Sequence, residues 1–368
     1  MNKTAATASS AVQKGESLDS VEVSPPADRK WSRILVVVLR VALLVAAVVV
    51  LRRQLHGVRL DDLLADLRGY GLGHLGVALA LTAASFLTLG LLELVALGYI
   101  GKRAKRIIPV KTALATAFIA HAYSQSVGLA ILTGATVRGR SYSRYALSAA
   151  DIARMSVFVT VTATLGLITT GGFALLELHT RFAMARLPIS LRSLGIALLA
   201  GVTAYVAWAV VGKSEFHGRG KWRVRRPTFG LTVKQICLSS LDWMLAGTVL
   251  FAVLPSQLPI SYGVFLGIYL IAQTAAVVSH VPGGLGVFEA VVVALCNLES
   301  PTGVLSASAA TALAGSLFVY RVIYYVLPLL GALALSTVAE LIRTRQPQTT
   351  PGQIALSTKS TLPAADAI

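Results

Sequence analysis

The chain has 368 residues, is 55% hydrophobic and only 13% charged, whereas soluble domains are about 45–50% apolar and about 25% charged. That balance, with a mean hydropathy of +0.72, excludes a soluble globular protein. Lys and Arg outnumber Asp and Glu by 33 to 16, for a net charge of +17. No aromatic-interleaved basic domain accompanies the excess, which reads as the positive-inside bias of cytoplasmic loops rather than nucleic-acid binding.

Residues 1–30, "MNKTAATASSAVQKGESLDSVEVSPPADRK", are small and polar and read as a disordered cytoplasmic tail. The first apolar core begins only at Ile34, too late for a signal peptide, so the first span is expected to be retained. Apolar runs of spanning length follow at 34–51, 75–100, 112–132, 152–176, 191–211, 232–254, 262–280 and 305–341, with a shorter one at 286–297. A helix of about 20 such residues crosses a bilayer. The fold class is therefore all-α: a polytopic integral membrane protein of about 7–9 apolar segments over 31–345, in a cell membrane. Residues 346–368 read as a second disordered tail. The cysteines, Cys237 and Cys296, fall within predicted spans without metal-ligand spacing and read as packing residues.

Loop charge sets a topology with one complication. Lys102, Arg103, Lys105, Arg106 and Lys111 form one basic loop; Lys213, Arg219, Lys221, Arg223, Arg225 and Arg226 form another. Both should be cytoplasmic, and the uncharged 255–261 should face out. Three apparent crossings separate the basic loops, and an odd number would place them on opposite sides. One segment must fail to cross, and 112–132 is expected to enter and return on the same side. Such backbone is tolerated only where it is buried in protein or lines a wet cavity.

The stretch "VSHVPGGLGVFEAVVV" (278–293) supplies a second break. Pro282 lacks an N–H, and Gly283, Gly284 and Gly286 can adopt positive φ, so 262–280 is expected to descend, break and return as 287–297. Two broken elements, one in each half of the chain, point to a transporter-like site at a repeat interface. The run 305–341 is too long for one straight crossing and is expected to break near Arg321 or Pro328.

Charge inside the bilayer costs on the order of 2.5–3.5 kcal/mol per residue, so each instance asks for a reason. Arg40 can snorkel. Glu93 reads as a structural ion pair with the adjacent basic loop. Asp242 reads as an inward polar contact between helices, with a place in a cavity as the alternative, and His280 borders the glycine break. Glu289 falls in the first turn after the break, where it either satisfies its own helix terminus or acts as a gate or a counter-charge for a cationic headgroup; Arg321 is an electrostatically suitable partner for it. Arg138, Arg140, Tyr142 and Arg144 in "GATVRGRSYSRY" suit the phosphate of an anionic headgroup or, equally, interfacial topology charge.

Several chemistries have no carrier. "GGLGVFE" has neither the lysine nor the spacing of a P-loop and is not G-x-G-x-x-G. H-x-x-x-H, C-x-x-C and G-x-S-x-G do not occur, and the six histidines are scattered. No catalytic residue, metal or cofactor is expected.

"VPGGLGVFEA" (281–290) resembles the signature of the transmembrane region of lysylphosphatidylglycerol synthases and their stand-alone membrane relatives of uncharacterised function. The resemblance continues in "GATVRGRSYSRYALSAADIARMSVF", through Arg138-x-Arg140-x-Tyr142, and in "YRVIYYVLPLLGAL" (320–333), through Arg321 and Pro328. It implies a polytopic helical fold with broken helices and, from the best-understood members, flipping of aminoacylated phospholipid between leaflets. The bifunctional members carry a soluble aminoacyltransferase domain after the membrane part, where this chain has a short tail, so lysyl transfer is expected to be absent. Two functions are open. One is a lipid translocase or lipid-binding transporter for a phospholipid or polyprenyl-linked lipid, with Arg138, Arg140, Tyr142 and Arg321 at the headgroup and Pro282, Gly283, Gly284, Gly286 and Glu289 as the gate. The other is a non-catalytic accessory or scaffold subunit partnered with a lipid-modifying enzyme.

Overall fold

A computed structural model describes residues 72–345 except 128–129, 146, 179–189, 213–214, 218–222, 256–257, 259 and 301–302. Both expected tails, 1–30 and 346–368, and the first span with Arg40 lie outside the described residues. In chain order the helices are α1 (Leu72–Ile100), α2 (Lys102–Ile107), α3 (Val110–Val127), α4 (Ala130–Tyr142), α5 (Ala149–Glu177), α6 (Leu191–Val211), α7 (Phe229–Phe251), α8 (Tyr262–Val278), α9 (Val287–Glu299), α10 (Ala307–Arg321) and α11 (Leu327–Arg345). The protein is an all-α polytopic membrane protein, and among the described residues five helical stretches are long and apolar enough to cross a bilayer. One small departure from helix is an antiparallel pair, β1 (Glu215–His217) with β2 (Arg223–Arg225), inside the second basic loop.

Local sequence fixes the helix starts. Ser148 accepts from the Asp151 N–H while Asp151 accepts from the Ser148 N–H, a reciprocal cap that opens α5. Ser190, Thr228 and Ser306 accept the N–H three residues on at the starts of α6, α7 and α10. Within the spans, hydroxyls such as those of Thr82, Thr88 and Thr162 bond the carbonyl four residues back. That arrangement gives each of these hydroxyls a partner within its own helix. Helices approach through small residues: a Cβ on Gly166 of α5 would lie 2.5 Å from the Ser239 backbone of α7, and one on Gly195 of α6 would lie 2.8 Å from the Gly172 carbonyl of α5. Large apolar side chains on the outside, among them Leu87, Phe173, Ile196 and Val211, suit lipid rather than water.

The first expected re-entrant element is a helical hairpin. α3 and α4 pack against each other, and the Thr112 and Tyr145 hydroxyls at its two ends lie 3.4 Å apart. Ala113 and Tyr142 share one buried cluster with Ala104 and Ile152. The chain thus leaves at the end where it entered. Lys105 and Arg226 line one groove, so the two basic segments sit at the same end of the bundle, as the loop-charge argument requires.

The second broken element enters from the other end. α8 descends to a 3-10 turn at Pro282–Gly284, and α9 returns against α8. Gly283, Gly284 and Gly286 have φ of 63°, 62° and 80°, left-handed values that exact about 1–2 kcal/mol from other residues. The tips of the two hairpins meet, since a Cβ on Gly283 would lie 3.8 Å from the Gln125 carbonyl near the end of α3.

The expected break in 305–341 takes a milder form. α10 runs into a π-helical turn, Val322–Val326, and continues without interruption as α11. The Leu327 N–H bonds the Val322 carbonyl, five residues back. Pro328 has no N–H to donate and its ring crowds the carbonyl four residues before it; the wider turn accommodates both defects.

Candidate functional site

Each hairpin is tied to a long helix through a buried arginine that meets a glutamate. In the first, Arg138 of α4 donates from Nε to Glu93 Oε1 and Oε2 at 3.0 and 3.1 Å and from Nη2 to Oε2 at 2.8 Å. Tyr142 donates its hydroxyl to Oε1 at 2.9 Å. Glu93, in α1, is 0% exposed and Arg138 3%. Glu93 is indeed in a structural ion pair, but its partner is Arg138 rather than the adjacent basic loop. Tyr142 is wholly buried. Arg140 points elsewhere and pairs with Glu340 of α11, which brings the end of α11 to the basic end of the bundle. Arg138 and Arg140 therefore do not form a joint fork.

In the second hairpin, Arg321 at the end of α10 donates from Nε to Glu289 Oε1 at 2.7 Å and from Nη1 to the Gly283 carbonyl at 2.6 Å, with Nη2 3.5 Å from the Gly284 carbonyl. Its guanidinium lies 4.5 Å from the Tyr325 ring centroid and 5.3 Å from that of Phe288, within cation–π range. Glu289 Oε2 accepts the Gly286 N–H at 2.8 Å. One Glu289 oxygen thus caps its own helix and the other holds Arg321. Pro282, Gly283, Gly284 and Gly286 supply the turn that aims two backbone carbonyls at that arginine.

Between the tips lies a cavity of about 310 Å³, within the range of about 300–1,000 Å³ typical of ligand sites. The first hairpin contributes His121, Gln125 and Arg138, the second Gln273, Gly283 and Gly284, and α7 contributes Asp242. Trp243, Tyr269, Tyr324 and Tyr325 add aromatic wall. Asp242 Oδ1 accepts from Ser85 at 2.6 Å, and Ser85 lies 2.9 Å from the Tyr324 hydroxyl, so the residue makes an interhelical contact and lines the cavity as well. Gln273 donates to the Tyr269 and Tyr325 hydroxyls at 3.1 and 3.3 Å. His280 does not join this set: it is exposed at φ 53°, with Nδ1 2.8 Å from the Val278 carbonyl.

Two cavity-lining atoms, His121 Nε2 and Gln125 Oε1, are buried without a hydrogen-bond partner among the described residues. Burying such a group unsatisfied costs about 1–3 kcal/mol, which calls for a polar occupant, water or ligand. Neither residue stood out in the sequence reading. The signal was present: they are spaced i, i+4 on one face of the helix that ends at the first break.

Two opposed helical hairpins, each pinned by an arginine–glutamate pair and together lining a cavity with several polar groups, mark this as a helical membrane protein with a candidate site between its hairpin tips. Comparison with known proteins places it further. The chain is 32% identical over 324 residues to the uncharacterised protein slr0712 of Synechocystis, covering 86% of this chain and 95% of that one. It is 30% identical over 294 residues to the inner membrane protein YbhN of Escherichia coli, covering 78% of this chain and 87% of YbhN. Phosphatidylglycerol lysyltransferase of Staphylococcus aureus is 25% identical over 312 residues, which are 83% of this chain and 34% of that enzyme. The chain belongs to the family of membrane proteins that contains slr0712 and YbhN and is related to the membrane region of lysylphosphatidylglycerol synthases. No family model matches it.

Proposed function

We propose that this protein is a lipid translocase that takes a phospholipid or polyprenyl-linked headgroup into the cavity between its hairpin tips. The observation that carries the reading is the pair of buried, unpartnered atoms, His121 Nε2 and Gln125 Oε1, in a cavity lined by both breaks. Irregular backbone at membrane depth and half-helix ends that meet at mid-bilayer are features of alternating-access transporters. The relation to enzymes named for phosphatidylglycerol supports a lipid as the ligand; the transferase name itself comes from a match to part of those proteins.

In this reading the two ion pairs are the gates. Separating Arg138 from Glu93 releases the first hairpin toward the basic end, and separating Arg321 from Glu289 releases the second toward the other end. Arg138 Nη1, which Glu93 does not engage, donates to the headgroup phosphate, and Arg140 receives the phosphate at entry once freed from Glu340. Exchange of Glu93 for the phosphate keeps the buried Arg138 guanidinium paired.

The test is native mass spectrometry of gently extracted protein with lipidomic identification of what stays bound, for wild type and for His121→Leu with Gln125→Leu. A specific lipid enriched on wild type and lost on the variant supports the reading. Bulk membrane lipids in unchanged proportion would overturn it and turn attention to a docking role beside a lipid-modifying enzyme.

A further inference from the structure

Among the described residues the central cavity is accompanied by a second, wider concavity. A groove of about 830 Å³ runs between the C-terminal half of α1 and the N-terminal half of α7, at the basic end of the bundle. Its floor and rim are apolar, with Leu91 and Leu238 along the helices. Three cations line it, Lys105, Arg226 and Lys234, and no carboxylate is among its described lining residues. Lys105 and Lys234 are exposed, and the Lys105 stem lies over the last turn of α1, with Cδ 3.8 Å from where a Gly98 Cβ would stand. Arg226 is fixed in place because its Nη1 donates to the Val210 and Gly212 carbonyls at 2.9 and 2.7 Å, closing the C-terminus of α6.

From this arrangement we infer that the groove is a binding site for an anionic phospholipid of the leaflet at the basic end, separate from the central cavity and independent of any transport activity. The phosphate sits among Lys105, Lys234 and Arg226, and an acyl chain follows the apolar floor past Leu91 and Leu238. Charge complementarity selects the occupant. A soluble anion has no use for the apolar floor, and a neutral or zwitterionic lipid leaves three cations uncompensated beside hydrocarbon. Basic pockets between membrane helices bind anionic headgroups in this way, and the N-terminus of α7, with Thr228, Gly230 and Leu231 in the lining, adds its dipole on the same side.

The groove carries its own reporter. Cys237 lines it and is exposed, whereas Cys296, the other cysteine of the chain, is buried. Full-length protein labelled at Cys237 with bimane is placed in phosphatidylcholine nanodiscs holding a minor mole fraction of brominated phosphatidylglycerol or of brominated phosphatidylcholine. Brominated phosphatidylglycerol should quench several-fold beyond its mole fraction, by roughly fivefold for each lysine engaged, and brominated phosphatidylcholine only in proportion. Lys105→Gln with Lys234→Gln should bring the two lipids together, while Lys102→Gln with Lys111→Gln, on basic residues outside the groove, should leave the difference intact. Equal quenching in wild type overturns the assignment, and so does an equal loss in the control pair, which would reduce the effect to general surface charge. Unlabelled protein analysed by native mass spectrometry in mixed nanodiscs gives the same readout without the fluorophore in the groove.

Discussion

Arg138 and Glu93 meet through three hydrogen bonds of 2.8–3.1 Å with both residues almost wholly buried, and Arg321 and Glu289, the latter partly exposed, form a second pair with the signs exchanged. In the first hairpin the arginine is on the re-entrant element and the glutamate on the long helix; in the second the glutamate is on the re-entrant element and the arginine on the long helix. Each pair ties one arm of a hairpin to a neighbouring helix.

A buried pair is costly to break by halves. Glu93→Leu strands a guanidinium in an apolar cluster and should cost about 3–5 kcal/mol, as should Arg138→Met. The double variant, with apolar groups of similar volume, should recover most of that loss. Unfolding titrations in detergent for the four proteins of the cycle measure the coupling; single variants that each cost under about 1 kcal/mol would show the pair to be energetically idle.

The second pair separates stability from movement. Glu289→Gln keeps an oxygen for the Gly286 N–H but removes the charge that holds Arg321 Nε. It should insert and fold, with a stability loss of about 1–3 kcal/mol, and lose transport of whichever lipid copurifies by at least about tenfold, the effect of 1.4 kcal/mol on a gating equilibrium. Arg321→Lys should do the same, since an ammonium cannot reach the carboxylate and the Gly283 and Gly284 carbonyls in one plane. A scramblase or flipping assay in proteoliposomes reads both; flipping at the wild-type rate in Glu289→Gln refutes its role as a gate.

The glycines of the second break are not equivalent. A Cβ on Gly284 would lie 2.5 Å from the Ala276 Cβ at a φ of 62°, whereas one on Gly286, at φ 80°, meets nothing within 4 Å. Gly286→Ala should therefore cost only backbone strain, about 1–2 kcal/mol, and Gly284→Ala that strain plus overpacking of about 1–3 kcal/mol. Melting midpoints in one detergent should fall in that order. The reverse order would mean that the turn is packed differently.

Much of this fold was legible because membrane insertion leaves few choices. The runs at 75–100, 152–176, 191–211 and 232–254 fall within a few residues of α1, α5, α6 and α7, since only an apolar helix of spanning length satisfies its own backbone in hydrocarbon. The breaks were announced by proline and glycine, and the need for a re-entrant segment by the parity of crossings between two basic loops. Pro328 signalled a disturbance, but whether a helix ends or widens by one residue per turn depends on what packs against it.

Side-chain pairing was less accessible. Glu93 lies 45 residues from Arg138 and Ser85 lies 157 from Asp242, and helical periodicity does not specify which faces of remote helices meet. Arg321 with Glu289 was anticipated because both stand beside breaks, where a charge has a local reason to exist. His121 and Gln125 were passed over because a polar residue in a helix draws notice only when its lack of a partner is known, and that is a property of the packed bundle.

The hairpin geometry makes its own prediction about sidedness. With Cys237→Ser as background, leaving only buried Cys296, single cysteines at Arg103, Arg144 and Ser308 occupy exposed positions. Arg103 precedes the first hairpin and Arg144 follows it, so a membrane-impermeant maleimide should label both from the same face. Ser308, at the start of α10 beyond the second hairpin, should be labelled only from the other. If 110–142 instead crossed the membrane, Arg103→Cys and Arg144→Cys would react from opposite faces. The two tips would then no longer meet at Gly283 and Gln125, and the cavity between them, with everything built on it, would be lost.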